Sequence, residues 1–186
     1  MSLENLNIDL ETATLADLDT LDMSTLLGGD LGDYNLSSNM PDCTVLVRIE
    51  KFELTRREAK PDEQKKAQVQ LAVTLRVVKG LACADDSVDL NSLENRVHIE
   101  RYNLLHEMGI SGLIKLMLGC VGVKFTDKAA IAELGQNPAA LLEELKANSV
   151  VFGVQIKTKE RNGYENTNVV GSQKAFISME DAQQYL

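Results

Sequence analysis

Apolar and polar positions alternate over three early stretches of this chain, and each alternation predicts a β-strand. In CTVLVRIEKFELTRRE, Val45, Val47 and Ile49 share one parity, then Phe52 and Leu54 take the other. A change of phase inside one strand predicts a bulge near Glu50 and Lys51. In AQVQLAVTLRVVKG the alternation is unbroken. Val69, Leu71, Val73, Leu75 and Val77 face one way, and Gln68, Gln70, Ala72, Thr74 and Arg76 face the other. This is the pattern of a half-buried strand. In ENRVHIERYN, Val97 and Ile99 share one face, and Arg96, His98, Glu100 and Tyr102 share the other.

The period then changes. GISGLIKLMLGCVGVKF is dense in Leu, Ile and Met, and its length between glycines predicts a buried helix of about three turns. NPAALLEELKAN predicts a second helix, capped by Asn137, with Pro138 at its first position and Leu141, Leu142 and Leu145 as its apolar stripe. Alternation returns in VFGVQIKTKERNGYENTNVV. The tail SMEDAQQYL predicts a short helix with Ser178 and Asp181 as its capping pair. Of the connections, AKPDEQKK is polar. LACADDSVDLNS carries Asp85, Asp86 and Asp89 but lacks the alternating acids and fixed Gly of a calcium loop, so it reads as a solvated loop. The order is three strands, a helical insertion and a hairpin.

Length and composition add limits. The chain has 186 residues, room for one domain and an appendage. No apolar run approaches the ~20 residues that span a bilayer. The opening MSLENLNIDLETATLADLDTLD is acidic where a signal peptide would be basic. The expectation is a soluble, intracellular protein with no membrane partner. Cys43, Cys83 and Cys120 are odd in number and widely spaced, with no metal-ligand spacing. They are expected to be reduced thiols, mostly buried, and no metal or other cofactor is expected.

Charge changes the picture more. The net charge is −9, and residues 1–42 contain nine acidic residues with no Lys or Arg. The remainder is therefore neutral, and the low overall pI does not oppose a polyanion site on the body. Within the arm, Leu15, Leu18 and Leu21 or Met23 approach helical spacing behind Thr14. The arm is read either as a tail or as a segment that docks on a partner or on the body's basic surface. The domain reading is an acidic arm and linker over residues 1–42, a main domain over 43–175, and a short C-terminal helix over 176–186.

Asn162-Gly163 predicts a two-residue type I′ turn, because both residues tolerate positive φ. That turn sets Arg161 opposite Tyr164, Lys159 opposite Asn166 and Lys157 opposite Asn168, all on one face. The other face carries Phe152, Val154, Ile156 and Val169 toward a core. The displayed face offers cations for phosphates, and amides and a ring for bases. A second basic cluster, Arg56, Arg57, Lys60, Lys65 and Lys66, lies between the first two strands. In a five-stranded OB barrel the loops joining strands one to two and four to five flank the nucleic-acid groove. The expected fold is therefore mainly β with inserted helices (α+β): a five-stranded OB-like barrel, with its helical insertion between strands three and four. Tyr102 is expected to add a stacking surface.

On VVFGVQIKTKERNGYENTNVV, the opening strand TVLVRIEKFEL and the helix LIKLMLG, the chain resembles phage-encoded single-stranded-DNA-binding proteins of the OB-fold type and related small phage proteins of unassigned function. The likeness covers residues 41–172 and is one of strands and turns. It implies non-catalytic, sequence-tolerant protection of single strands in DNA replication or recombination, in the host cytoplasm. Replicative members often carry an acidic C-terminal tail; here the acidic segment is N-terminal. The alternative is a phage structural or assembly protein, with the acidic arm gripping a partner subunit, and a homo-oligomer is compatible with either reading. A replication or virion protein is a candidate partner of the arm. Catalysis is not expected: His98 reads as a surface strand residue and His106 as a loop residue, with no nucleophile–base pattern or phosphate loop beside them.

Overall fold

The computed structural model describes residues 40–58, 67–161 and 163–186, without the side chains of Arg57, Arg161 and Tyr164. The acidic arm before Met40, with Lys60, Lys65, Lys66 and Asn162, lies outside the described residues. Among the described residues one antiparallel sheet forms from β1 (Cys43–Arg57), β2 (Gln68–Cys83), β3 (Val97–Asn103), β4 (Val151–Arg161), β5 (Tyr164–Val169) and β6 (Phe176–Ile177). Its order is β3-β2-β1-β4-β5, and β6 pairs with β4 off that path. The helices are α1 (Glu107–Cys120), α2 (Lys128–Gln136), α3 (Pro138–Ala147) and α4 (Met179–Ala182).

The expected bulge is present. Ile49 pairs with Leu75 and Lys51 with Thr74, which leaves Glu50 as the extra residue. Beyond it Phe52 faces Val73 and Leu54 faces Leu71, so the two parities of β1 reach the same side of the sheet. Further register shifts at Thr44/Val45 and Leu46/Val47 leave Leu81 and Val78 of β2 as extra residues.

The inner face is the core. Val45, Val47 and Ile49 of β1, Leu71, Val73, Leu75 and Val77 of β2, and Phe152, Val154 and Ile156 of β4 are all buried. Leu113, Leu116, Met117 and Cys120 of α1, with Leu142 and Leu145 of α3, pack in the same cluster. Each such side chain contributes roughly 1.5–3 kcal/mol by leaving water, so this layer, and not the exposed ribbon, holds the fold. Asn137 caps α3 as expected, its Oδ1 accepting from Ala140 N at 3.3 Å. Helix α2 carries no buried residue, which is why its apolar pattern is too weak to announce it.

The outer face is covered in the middle by the C-terminal segment. Leu46 stands in one row with Lys79 of β2 and Gly153 of β4. Lys79 Nζ donates to Tyr185 O at 2.6 Å, and a Cβ at Gly153 would lie 2.6 Å from Ile177 Cβ. With both ends of the row covered, Leu46 is fully buried although it points away from the main core. The Ser178 cap of α4 holds, with Oγ accepting from Asp181 N at 3.1 Å and donating to Asp181 Oδ2 at 2.9 Å.

Two expectations are corrected. The sheet is open and is not a closed barrel. Strands β3 and β5 share no backbone ladder; instead Val169 N of β5 donates to Glu100 Oε2 of β3 at 2.8 Å. A side-chain carboxylate stands where a ladder would close the seam. The second correction concerns the faces of β3. His98, Glu100 and Tyr102 pair with Leu75, Val73 and Leu71 and so face inward, at 6%, 7% and 5% exposure. Val97 and Ile99 face outward at 39% and 40%. His98 is therefore not a surface residue. Its Nε2 lies 2.9 Å from Glu100 Oε2, and this contact together with Val169 N supplies the partners that a buried carboxylate needs.

Candidate nucleic-acid interface

Strand β4 is anchored by its core residues and then outruns β1. Ile156 pairs with Cys43, the first residue of β1, so residues 157–161 continue past it with only β5 beside them. The result is a two-stranded ribbon. Its register is the expected one: Lys157 with Asn168, Lys159 with Asn166, and Arg161 with Tyr164. Gly163 has φ +77°, the left-handed conformation that the turn requires.

The foot of the ribbon is fixed. Thr158 N donates to Asp42 Oδ1 at 2.6 Å, and Thr158 Oγ1 donates to Met40 O at 3.4 Å. Across the ribbon, the hydroxyls of Thr158 and Thr167 are 2.8 Å apart. These bonds occupy one face and leave the other to Lys157 and Lys159. Both lysines are exposed, and among the described residues neither is held in an ion pair. Alternate residues of a strand stand about 7 Å apart, so the ammonium groups form a row. The opposite face carries Glu160 across from Glu165. Charge on the ribbon is thus sorted by face.

A shallow cavity of about 240 Å³ lies beside this row, lined by Asp42, Cys43, Thr44, Ala82, Cys83, Ala84, Gln155 and Lys157. The hydroxyl of Thr44 and the amide of Gln155 bring hydrogen-bonding groups next to the Lys157 ammonium. Thr44 and the exposed, outward-facing Arg48 were not singled out from sequence. Their signal was available, since the alternation that sends Val45 and Val47 inward sends Thr44 and Arg48 outward.

Of the second basic cluster, Arg56 and the backbone of Arg57 are described, and they lie apart from the ribbon. Arg56 pairs with Val69 and Arg57 with Gln68, at the end of β1 away from Cys43. The ribbon leaves from the Cys43 end. The 15 residues of β1 would separate the two clusters by on the order of 45 Å if fully extended, a span that coiling shortens. Among the described residues, the antiparallel pairing of β4 with β1 puts Arg56 and the ribbon at opposite ends of β1. Tyr102 is also withdrawn from the interface. Its ring packs against Gly112 of α1, where a Cβ would meet it at 3.1 Å, and a ring 5% exposed offers no face for stacking. Burial pushes the Tyr102 hydroxyl well above its ordinary range, with the neighbouring Glu100 adding to the shift.

The remaining polar candidates serve the fold. Asp85 Oδ1 accepts from Ser87 N and Oγ, which holds its carboxyl below the usual range. Asp89 caps the short 3₁₀ turn Leu90–Leu93. His106 caps α1, its Nδ1 accepting from Met108 N at 3.3 Å. Among the described residues no three His, Cys, Asp or Glu side chains are grouped to hold a metal, and no helix is long and apolar enough to cross a membrane. No protein-family model matches the chain, and no curated protein matches it.

Proposed function

We propose that this protein is a non-catalytic single-stranded nucleic-acid-binding protein of a phage replication or recombination system, and that it holds the backbone on the cationic face of the β4–β5 ribbon. The observation that carries this reading is the exposed row of Lys157 and Lys159 on a ribbon whose foot is fixed to the body. Arg161 and Tyr164 occupy the next register position, with Asn166 and Asn168 across from the lysines. Phosphates would take the ammonium and guanidinium groups, bases would stack on Tyr164, and the cavity at Thr44 and Gln155 would receive a polar edge. The strand order supports an OB-type fold with its β3–β5 seam unpaired, since OB barrels are themselves only partly closed. In this reading the groove follows the ribbon, without the β1–β2 connection on its other bank.

The test is a fluorescence-anisotropy titration of a labelled single-stranded oligonucleotide across salt concentrations. Each lost phosphate contact lowers the log–log salt slope by about 0.7, so Lys157→Ala, Lys159→Ala and Arg161→Ala together lower it by about 2. An unchanged slope removes the ribbon from the interface.

A second reading, a structural or assembly protein, draws on apolar residues at the corner of β3 and α1. Leu105, Met108 and Ile110 are exposed there, Met108 at 76%. Self-association in sedimentation that Met108→Asp abolishes, with no oligonucleotide binding, would favour it.

A further inference from the structure

Cys43 opens β1 and Cys83 closes β2, and the register sets them directly opposite each other. Their position in the ladder follows from the neighbouring bond. Ala84 N donates to Asp42 O at 2.8 Å, one of the two bonds by which residues 42 and 84 would make a hydrogen-bonded pair. In an antiparallel ladder the next pair inward is of the non-hydrogen-bonded kind, whose Cα atoms are about 4.5 Å apart and whose side chains lie closest. That spacing is within the roughly 4.4–6.8 Å that a disulfide spans. Cys83 is only partly buried, which gives a small molecule access, whereas Cys43 is buried. Burial, then the adjacent Cys83, pushes the Cys43 thiol up to about 12, in keeping with two sulfurs at close range. Cys120 lies apart on α1, buried, with Sγ donating to Met117 O at 3.0 Å.

We propose that Cys43 and Cys83 are a redox-modification site that closes into a cross-strand disulfide when the protein meets a small-molecule disulfide. The Cys83 thiolate attacks one sulfur of the oxidant, forming a mixed disulfide and releasing one thiolate. Cys43 Sγ then gives up its proton and attacks Cys83 Sγ, releasing the second thiolate. The protein loses two electrons and two protons, and the oxidant leaves as two thiols. Cys83 reacts first because it is the accessible thiol and the less hindered by burial. The bond would tie the start of β1 to the end of β2 beside Asp42, which seats the ribbon at Thr158. This site does not depend on the nucleic-acid reading.

The experiment incubates the folded full-length protein with oxidised glutathione, then digests it without reduction and maps the peptides by mass spectrometry. The expected product is a Cys43–Cys83 linked peptide, two hydrogens lighter than its parts, with Cys120 unmodified and full reversal by dithiothreitol. Cys43→Ser should instead accumulate a stable glutathione adduct on Cys83, and Cys83→Ser should leave Cys43 unreacted. Three results would overturn the proposal: a lasting glutathione adduct on Cys83 of the unaltered protein, a linkage between two chains in place of one within the chain, or a Cys43–Cys83 link that forms only in urea.

Discussion

At the residue scale the unusual group is Glu100, a carboxylate 7% exposed that accepts from one strand and faces a histidine on its own. A charged acceptor of this kind contributes about 1.5–3 kcal/mol, and removing it leaves Val169 N and His98 without their partner. Glu100→Ala is expected to lower stability in urea by about 2–3 kcal/mol. Glu100→Gln is expected to lower it less, because its amide oxygen still accepts from Val169 N. Equal losses for the two variants would show that the seam bond carries little. The thiols make a separate statement. Burial raises Cys43 and Cys120 from about 9 to about 12. The unfolded chain gives up these protons near pH 9 while the folded chain keeps them. Stability is therefore full below about pH 9 and falls as pH rises toward 12. Urea midpoints between pH 8 and 11 measure this fall, and Cys120→Ala should remove one thiol's share of the slope.

At the element scale the C-terminal segment acts as a cover. Phe176 sits against Gly119 of α1, Ile177 against Gly153 of β4, and the Tyr185 carbonyl is held by Lys79. Leu46 is buried beneath it. Truncation after Ser172 would open that face to water, and a buried leucine is worth about 2–3 kcal/mol when it leaves water. The truncated chain is expected to melt several degrees lower with its strand signal retained. An unchanged melting temperature would mean that the cover adds no packing energy. The ribbon differs in kind: it is held at its foot by Asp42 and Met40 and contributes little core, which leaves its outward face available for contact.

At the scale of the whole molecule, charge is distributed along β1. The cluster at Arg56 and Arg57 and the row at Lys157 and Lys159 occupy opposite ends of that strand. If a single strand of nucleic acid is held on the ribbon alone, Arg56→Ala with Arg57→Ala should leave the salt slope of a short oligonucleotide within about 0.5 of its starting value. A fall of about 1.4 would instead mean that the ligand spans both ends. A length series of oligonucleotides separates the two, since only long strands can reach both clusters.

Much of this architecture was legible in the order of residues. Val69 to Val77 alternate because one side of β2 meets a core, Asn137-Pro138 open α3 because their chemistry suits a helix start, and Asn162-Gly163 set the ribbon's register because a two-residue turn allows one pairing. These features depend on neighbours within a few positions. Leu46 was not legible, because what buries it returns from more than a hundred residues away. Nor were His98 and Glu100: a polar parity reads as solvent-facing unless the partner at Val169 is known. The separation of Arg57 from Lys159, and the open seam between β3 and β5, came only from which strands pair and in which direction. Local periodicity determines what each segment becomes. Long-range pairing decides which faces water reaches, and the site depends on that second choice.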